Sequence, residues 1–207
     1  MHIQDSLTGL KTRLAEQRWD DHRYYHHSLV NQSLHFLSAM TFVCAYVVCF
    51  HDPALASLLG WLVAMLSRQS GHFFFEPKGY DHVNDASHEY KEDVKVGYNL
   101  TRKWIFMGLW ALTPLPLLLD PTFFGLFVPH SGFYQFARHV GILWLGLAEA
   151  GLVFRSIQLC LTRDGWTGVT WAVKIVTDPF HDIKLYHKAP LRLLRGERLD
   201  RSLALHS

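Results

Sequence analysis

The sequence predicts an all-α fold, a polytopic helical membrane bundle of about four transmembrane helices preceded by an N-terminal amphipathic helix. Apolar residues make up 49% of the chain, and they are concentrated in blocks as long as helices instead of being spread evenly. Aromatic residues are abundant, with seven Trp, fourteen Phe and eight Tyr. Most charged residues lie in the polar segments between the blocks, as in membrane proteins.

The first three elements form an entry helix and a helical hairpin. Residues 6–33 have the pattern of a polar helix with Ser6 as a possible cap, and they become rich in aromatic residues and histidine toward the end. Residues 34–50 are almost entirely apolar, and their helix would rise about 25 Å, slightly less than a hydrocarbon core of about 30 Å. His51, Asp52 and Pro53 predict a turn, after which residues 53–67 return as a second apolar helix.

Two further apolar blocks complete the predicted bundle. Residues 104–119 carry Pro114 and Pro116 near their end, which predicts a kinked or re-entrant segment. Residues 140–161 contain Glu149, Arg155 and Gln158, which should face other helices or a cavity because a polar group facing lipid is costly. Residues 68–103 are a polar connector and residues 162–207 a polar tail. We interpret 1–207 as one membrane-embedded domain.

The distribution of charge predicts the orientation of the bundle. If all four blocks cross the membrane, the N-terminus, the connector 68–103 and the tail 162–207 share one side and carry nearly all Lys and Arg. The positive-inside rule makes that side cytoplasmic. The same side holds nine histidines: His22, His26, His27, His35, His72, His82, His88, His181 and His187. Because several blocks are short, the core helices of a soluble bundle are the alternative.

Composition excludes several other classes of protein. The formal net charge is only +2 and both signs are mixed in the same segments, which argues against a nucleic-acid partner. The three cysteines lie inside apolar blocks without a CxxC pair, which argues against a disulfide framework and a thiolate zinc site.

Fourteen histidines are the most unusual feature of the composition, and two segments give them the spacing of metal ligands. The segment HHSLVNQSLH places His27, Asn31 and His35 four residues apart, on one face of a helix. The segment SGHFFFE places His72 and Glu76 four apart at the cytoplasmic end of the second apolar helix. Imidazole with carboxylate suits iron, zinc, manganese or nickel, and such a site with open positions serves oxygen chemistry on ferrous iron. Asn31 is either a ligand or a group that orients an imidazole.

The same segments resemble a known family. YHHSLVNQSLH at 25–35 and GHFFFE at 71–76 are similar to the signatures YHHxxxNxxxH and GHxxFE of the membrane-embedded, iron-dependent 2-hydroxy fatty acid dioxygenases of fungi and their bacterial relatives. The resemblance covers residues 22–77. It implies an enzyme that shortens a 2-hydroxy fatty acid by one carbon, with Fe(II) and dioxygen, in the α-oxidation branch of long-chain base degradation.

The resemblance also implies roles for individual residues. His27, His35 and His72 become iron ligands, His26 a fourth candidate, and Asn31 and Glu76 supporting groups. This chain departs from the pattern in having fewer residues between the two motifs, a different segment after GHFFFE, and a long additional C-terminal region. The predicted partners are a fatty acyl or 2-hydroxy fatty acid substrate, dioxygen and the lipid bilayer, with the metal site on the cytoplasmic face.

Two other functions fit the sequence. HRYYHH at 22–27 is similar to the HxxHH boxes of membrane desaturases and hydroxylases, in which many histidines surround two irons. His82, His88, His181 and His187 could supply the remainder, so a di-iron lipid hydroxylase or desaturase is one alternative. A non-catalytic lipid-binding membrane protein, whose histidines satisfy helix ends, is the other. TDPFHD at 177–182 brings Asp178, His181 and Asp182 together, although Asp178 is predicted to cap a helix there.

Overall fold

The protein is helical throughout the residues that the computed structural model describes, which are 2–76, 79–94 and 100–200. Within these ranges no strand is present, and extended pairing is limited to two isolated bridges, Ser28 with Leu199 and Asp81 with Ala86. The all-α prediction is therefore confirmed.

The N-terminal polar stretch and the first apolar block are joined by a short non-helical turn. Helix α1 spans His2–Tyr25 and helix α2 spans Leu29–Cys49. The Ser28 hydroxyl accepts a hydrogen bond from the backbone N–H of Val30 at 3.2 Å and so caps α2. Residues 6–33, predicted as one helix, are consequently divided at 26–28.

The predicted hairpin is present, and its second arm is longer than expected. The Asp52 carboxylate accepts a hydrogen bond from Leu55 N at 3.0 Å, and Pro53 occupies the first turn of helix α3, Pro53–Leu59. A π-helical turn, Gly60–Met65, leads directly into helix α4, Leu66–Phe75. Because the helix continues beyond residue 67, His72 lies in its last turn, at the end of the second apolar helix as expected.

The remaining elements follow as helices of very different length. They are α5 His88–Val94, α6 Leu100–Leu112, α7 Pro114–Leu119, α8 Phe133–Thr162, α9 Gly165–Tyr186 and α10 Ala189–Leu194. The break between α6 and α7 falls at Thr113, before Pro114, where the prolines predicted a kink. The connector prediction includes 77–78 and 95–99, and the tail prediction includes 201–207, all outside the described residues. The described part of the predicted polar tail contains α9 and α10.

Helix α2 is central to the bundle, since it packs against α3, α4 and α9, while α8 packs against α3 and α9. The apolar core contains Trp61, Leu117, Val140 and Trp144, and the indole N–H of Trp61 donates to the Trp144 carbonyl at 3.1 Å. A Cβ at Gly141 would lie 2.6 Å from the carbonyl oxygen of Ala54. The α3 and α8 backbones are therefore in direct contact, as small residues permit in membrane bundles.

Two of the helices are long and apolar enough to cross a membrane. The first is α2, which contains an 18-residue window with a mean hydropathy of 1.4. The second is α8, whose corresponding window has a mean hydropathy of 1.6. Only 28% and 22% of those windows is buried inside the protein, so most of their surface faces outward. The second predicted span contains the π-helical turn within a continuous helical run, and the third is a shorter apolar run, Lys103–Leu119.

Candidate metal centre

Three histidines from three parts of the chain meet in the interior. His35 belongs to α2 and is completely buried, His72 lies in the last turn of α4, and His26 lies in the turn between α1 and α2. One ring nitrogen from each lies within 4.8 Å of the others. In the described part of the chain, this is the one group of three or more His, Cys, Asp or Glu side chains so arranged.

The spacing of the rings suits a shared ion. The Nε2 atoms of His26 and His35 are 3.1 Å apart, and the ring centroids of His35 and His72 are 4.8 Å apart. Two imidazole nitrogens bound at right angles to one ion, with bonds of about 2.1 Å, lie about 3 Å apart. The three imidazoles therefore fit a divalent transition metal such as iron, zinc, nickel or copper.

Hydrogen bonds from Nδ1 fix the rings of His26 and His72. Because the proton is on Nδ1, Nε2 of each ring keeps the lone pair that can bind a metal. The Nδ1–H of His26 donates to the backbone carbonyl of Asp21 at 2.7 Å, and that of His72 donates to the Glu76 carboxylate at 2.9 Å. Such outer contacts fix the tautomer of a metal-binding histidine. Burial, and then the proximity of His35, lower the pKa of His26 well below its ordinary value, which favours the neutral form that binds metals.

His27, which the sequence assigned to the metal, lies outside this group. Its Nε2 contacts the backbone carbonyl of Arg23 and is 3.5 Å from an Asp81 carboxylate oxygen and 3.4 Å from the Asn84 amide nitrogen. The assignment required one helix to run through residues 27–35, but α2 begins at Leu29. The ring that joins His35 is therefore that of His26, from the turn.

Asn31 is buried in the contact between α2 and α4 and has a positioning role. Its amide N–H donates to the Tyr25 carbonyl at 2.9 Å, which ties the end of α1 to α2 beside His26. Its side-chain oxygen would lie only 2.1 Å from a Cβ at Gly71. The glycine of GHFFFE thus allows the close approach of the two helices that carry His35 and His72.

Glu76 lies beside the histidine cluster and is not one of its members. Its carboxylate accepts the hydrogen bond from Nδ1 of His72, and it also lies 3.6 Å from the Lys103 ammonium near the start of α6.

Contacts from the C-terminal segment, which the sequence did not indicate, fix the turn that carries His26. The backbone N–H of Leu29 donates to Arg198 O at 2.9 Å, and that of Asp200 donates to His27 O at 2.8 Å. The Gln32 amide bridges the His26 carbonyl and the Asp200 carboxylate, both at 2.8 Å. The contacts to Arg198 and Asp200 join residues more than 160 apart in sequence, and local spacing cannot predict them.

Tyr186, near the end of α9, was also missed. Its hydroxyl lies 3.2 Å from Nδ1 of His22, and its ring centroid is 5.6 Å from that of His26 and 6.1 Å from that of His35. Burial raises the pKa of this phenol, which therefore remains a protonated donor. Tyr186 thus packs against the cluster and connects it to His22.

The other candidate residues have separate surroundings. His82, His88 and His187 are exposed, and His181 is half-buried on α9. Asp178 lies inside α9, so its prediction as a helix cap was wrong. Its carboxylate is 2.5 Å from the Lys174 ammonium and 3.0 Å from the Arg18 guanidinium.

An apolar cavity of about 410 Å³ adjoins the cluster. His26 and His72 line one end, while Phe42, Trp61 and Phe106 contribute to the walls. The helical run that forms one wall extends from His72 to Ala56, which corresponds to about 24 Å of helix. Both the volume and the apolar lining are typical of a site for a small molecule.

The fold and the site define a helical protein with a buried three-imidazole centre beside an apolar cavity. No family model matches the chain, and no curated protein or solved structure shows significant similarity to it.

Proposed function

We propose that this protein is an iron(II)-dependent membrane oxygenase that acts on a fatty acyl substrate, specifically a 2-hydroxy fatty acid dioxygenase that shortens its substrate by one carbon. The observation that carries the proposal is the meeting of His26, His35 and His72 beside an apolar cavity, which His26 and His72 line. The similarity of residues 25–35 and 71–76 to the signatures of that enzyme family supports the choice of reaction.

The residues of the chain would divide the work as follows. His26, His35 and His72 would hold the ion, and the Asp21 carbonyl and Glu76 keep two of the rings oriented. When bound there, iron would supply a place for the 2-hydroxycarboxylate and dioxygen to meet and would polarise the substrate oxygens. The cavity holds the acyl chain away from water. Lys103, on the cavity wall beside Glu76, offers a positive charge to a carboxylate head group.

The proposal includes the membrane topology. We infer that the α3–α4 run and the α6–α7 segment cross the bilayer together with α2 and α8, with the histidine cluster on the cytoplasmic side. Many large apolar side chains on these elements face outward, among them Phe50, Leu118, Leu119 and Leu161. An acyl substrate could then enter the cavity sideways from the lipid.

A mononuclear centre has better support than a di-iron centre. The described residues form one three-histidine group, and His82, His88 and His187 are at the surface. The remaining rival is a lipid-binding protein without catalysis, for which the cavity alone would suffice.

Metal analysis followed by a product assay tests the proposal. We expect one iron per chain in protein purified anaerobically in detergent, and a product one carbon shorter when a 2-hydroxy fatty acid and oxygen are supplied. His35→Ala and His72→Ala should lose both properties, whereas the exposed control His82→Ala should keep both. Two irons per chain would favour the di-iron enzyme. Absence of any transition metal, or normal turnover by either cluster variant, would reject the assignment.

A further inference from the structure

One nitrogen of the histidine cluster lacks the hydrogen bond that its counterparts possess. His35 is completely buried, and its Nδ1 has no hydrogen-bond partner among the described residues. The corresponding atoms of His26 and His72 donate to oxygen atoms at 2.7 and 2.9 Å. An unsatisfied polar atom in this position needs an explanation because burial removes it from water.

The group nearest to this atom is a carboxylate from a distant helix. An Asp182 oxygen, on α9, lies 3.8 Å from Nδ1 of His35, too far for a hydrogen bond but within about 1 Å of one. Asp182 is itself buried, and the Arg68 guanidinium donates to the same oxygen at 3.1 Å. Arg68 lies one turn before His72 on α4, so this ion pair joins α4 to α9 beside the cluster.

The position of the proton on His35 determines what the cluster can bind. The proton of His26 is on Nδ1, so its Nε2 presents a lone pair to Nε2 of His35, 3.1 Å away. If the His35 proton is on Nε2, the two rings share a hydrogen bond, and a bare Nδ1 faces the Asp182 carboxylate. If the proton is on Nδ1, Asp182 gains a donor, and two lone pairs converge on a point where a cation would relieve their repulsion. A neighbouring carboxylate favours the second arrangement.

We propose that Asp182 is a positioning residue that accepts the Nδ1–H of His35 and thereby presents Nε2 to a divalent transition metal. The inference rests on the proposed metal site, but it extends to α9, outside the region that resembles the dioxygenase signatures. Asp182, held by Arg68, supplies His35 with the oxygen partner that Asp21 and Glu76 supply to the other two ligands. Each imidazole of the cluster then has an outer oxygen that fixes its tautomer.

The test uses a metal alone, with a matched control on the same helix. Zn(II) and Co(II) affinities are measured by chelator competition on the full chain in detergent, and the visible spectrum of the Co(II) form reports the ligand geometry. Asp182→Asn should weaken binding about 10- to 100-fold and change the Co(II) spectrum, with partial recovery in Asp182→Glu. Asp178→Asn removes a buried, ion-paired carboxylate one turn earlier and should leave the affinity and the spectrum unchanged.

The outcomes separate this inference from the proposed function. Wild-type protein that binds no metal through His35 and His72 would overturn the metal site. Normal wild-type binding together with unaltered affinity and spectrum in Asp182→Asn would overturn only the role of Asp182, as would an equal loss of affinity in Asp178→Asn.

A measurement on the zinc-loaded wild type tests the inference without depending on the folding of any variant. The ¹⁵N resonances of His35 should show Nδ1 protonated and Nε2 bound to metal, and the reverse pattern would contradict the inference.

Discussion

Replacement of Gly71 by alanine is predicted to destabilise the protein, although alanine is the better helix former. A Cβ at this position would lie 2.1 Å from the Asn31 side-chain oxygen and 3.2 Å from its Cγ. Asn31 is completely buried and its amide N–H holds the Tyr25 carbonyl at 2.9 Å, so it cannot rotate without losing that bond. The added Cβ therefore overpacks the contact between α2 and α4 and also displaces the Asn31 side chain from the bond that anchors the turn carrying His26.

The magnitude follows from three contributions. Alanine gains about 0.5–1 kcal/mol over glycine in a helix interior. Overpacking costs about 1–3 kcal/mol, and leaving a buried polar group without its partner costs a further 1–3 kcal/mol or so. The expected net loss in the free energy of unfolding is about 3 kcal/mol, opposite in sign to helix propensity.

The assay is reversible unfolding in detergent, followed by circular dichroism, together with measurement of bound metal. Gly108→Ala and Gly146→Ala are matched controls because each replaces a helical glycine with nothing within 4 Å of the added Cβ, so they should be neutral or slightly stabilising. In an Asn31→Ala background the penalty of Gly71→Ala should disappear, since the contacted atoms are gone. Wild-type stability in Gly71→Ala, or the same penalty in both backgrounds, would refute the reasoning.

Two further predictions concern the turn and its supports. His26→Ala should lose the bound metal while His27→Ala retains it, because only the first ring lies in the cluster. Elemental analysis of the two purified variants measures this, and loss of metal in His27→Ala would show that His27 is a ligand after all. Lys174→Met removes the ammonium that lies 2.5 Å from the carboxylates of Asp21 and Asp178. Because removal of one partner leaves buried charge unpaired, the free energy of unfolding should fall by about 3 kcal/mol, as measured by denaturant titration. An unchanged midpoint would mean that Arg18 alone compensates Asp178.

The sequence predicted the helices of the site, but it did not show which of two adjacent histidines joins the cluster, and the structure brings His26 and not His27 to His35 and His72. The prediction that His35 and His72 approach each other followed from an apolar hairpin with a turn at 51–53, and the structure has that hairpin. The choice between His26 and His27 depended on where α2 begins. Ser28 before Leu29 is an ordinary capping signal, but the polar helical pattern continued across it and concealed the boundary.

The role of α9 could not be predicted from spacing alone. Lys174, Asp178 and Asp182 recur at intervals of four, which indicates one polar face of a helix. Spacing does not show that this face meets α1 and α4, where its partners Arg18 and Arg68 lie more than 100 residues away in sequence. A polar stripe on an isolated segment is typical of a solvated helix, so the pattern within residues 162–207 does not by itself indicate a packed element.

The three clustered histidines occupy elements whose relative positions are fixed by unrelated contacts. Gly71 and Asn31 determine the separation of α2 and α4, and hence of His35 and His72. The position of His26 depends on Gln32 and on backbone bonds from residues 198 and 200. The segment with the dioxygenase signatures therefore supplies all three imidazoles but only part of what orients them. Because α9 and the C-terminal segment complete the site, changes there should alter metal binding even though no ligand is touched.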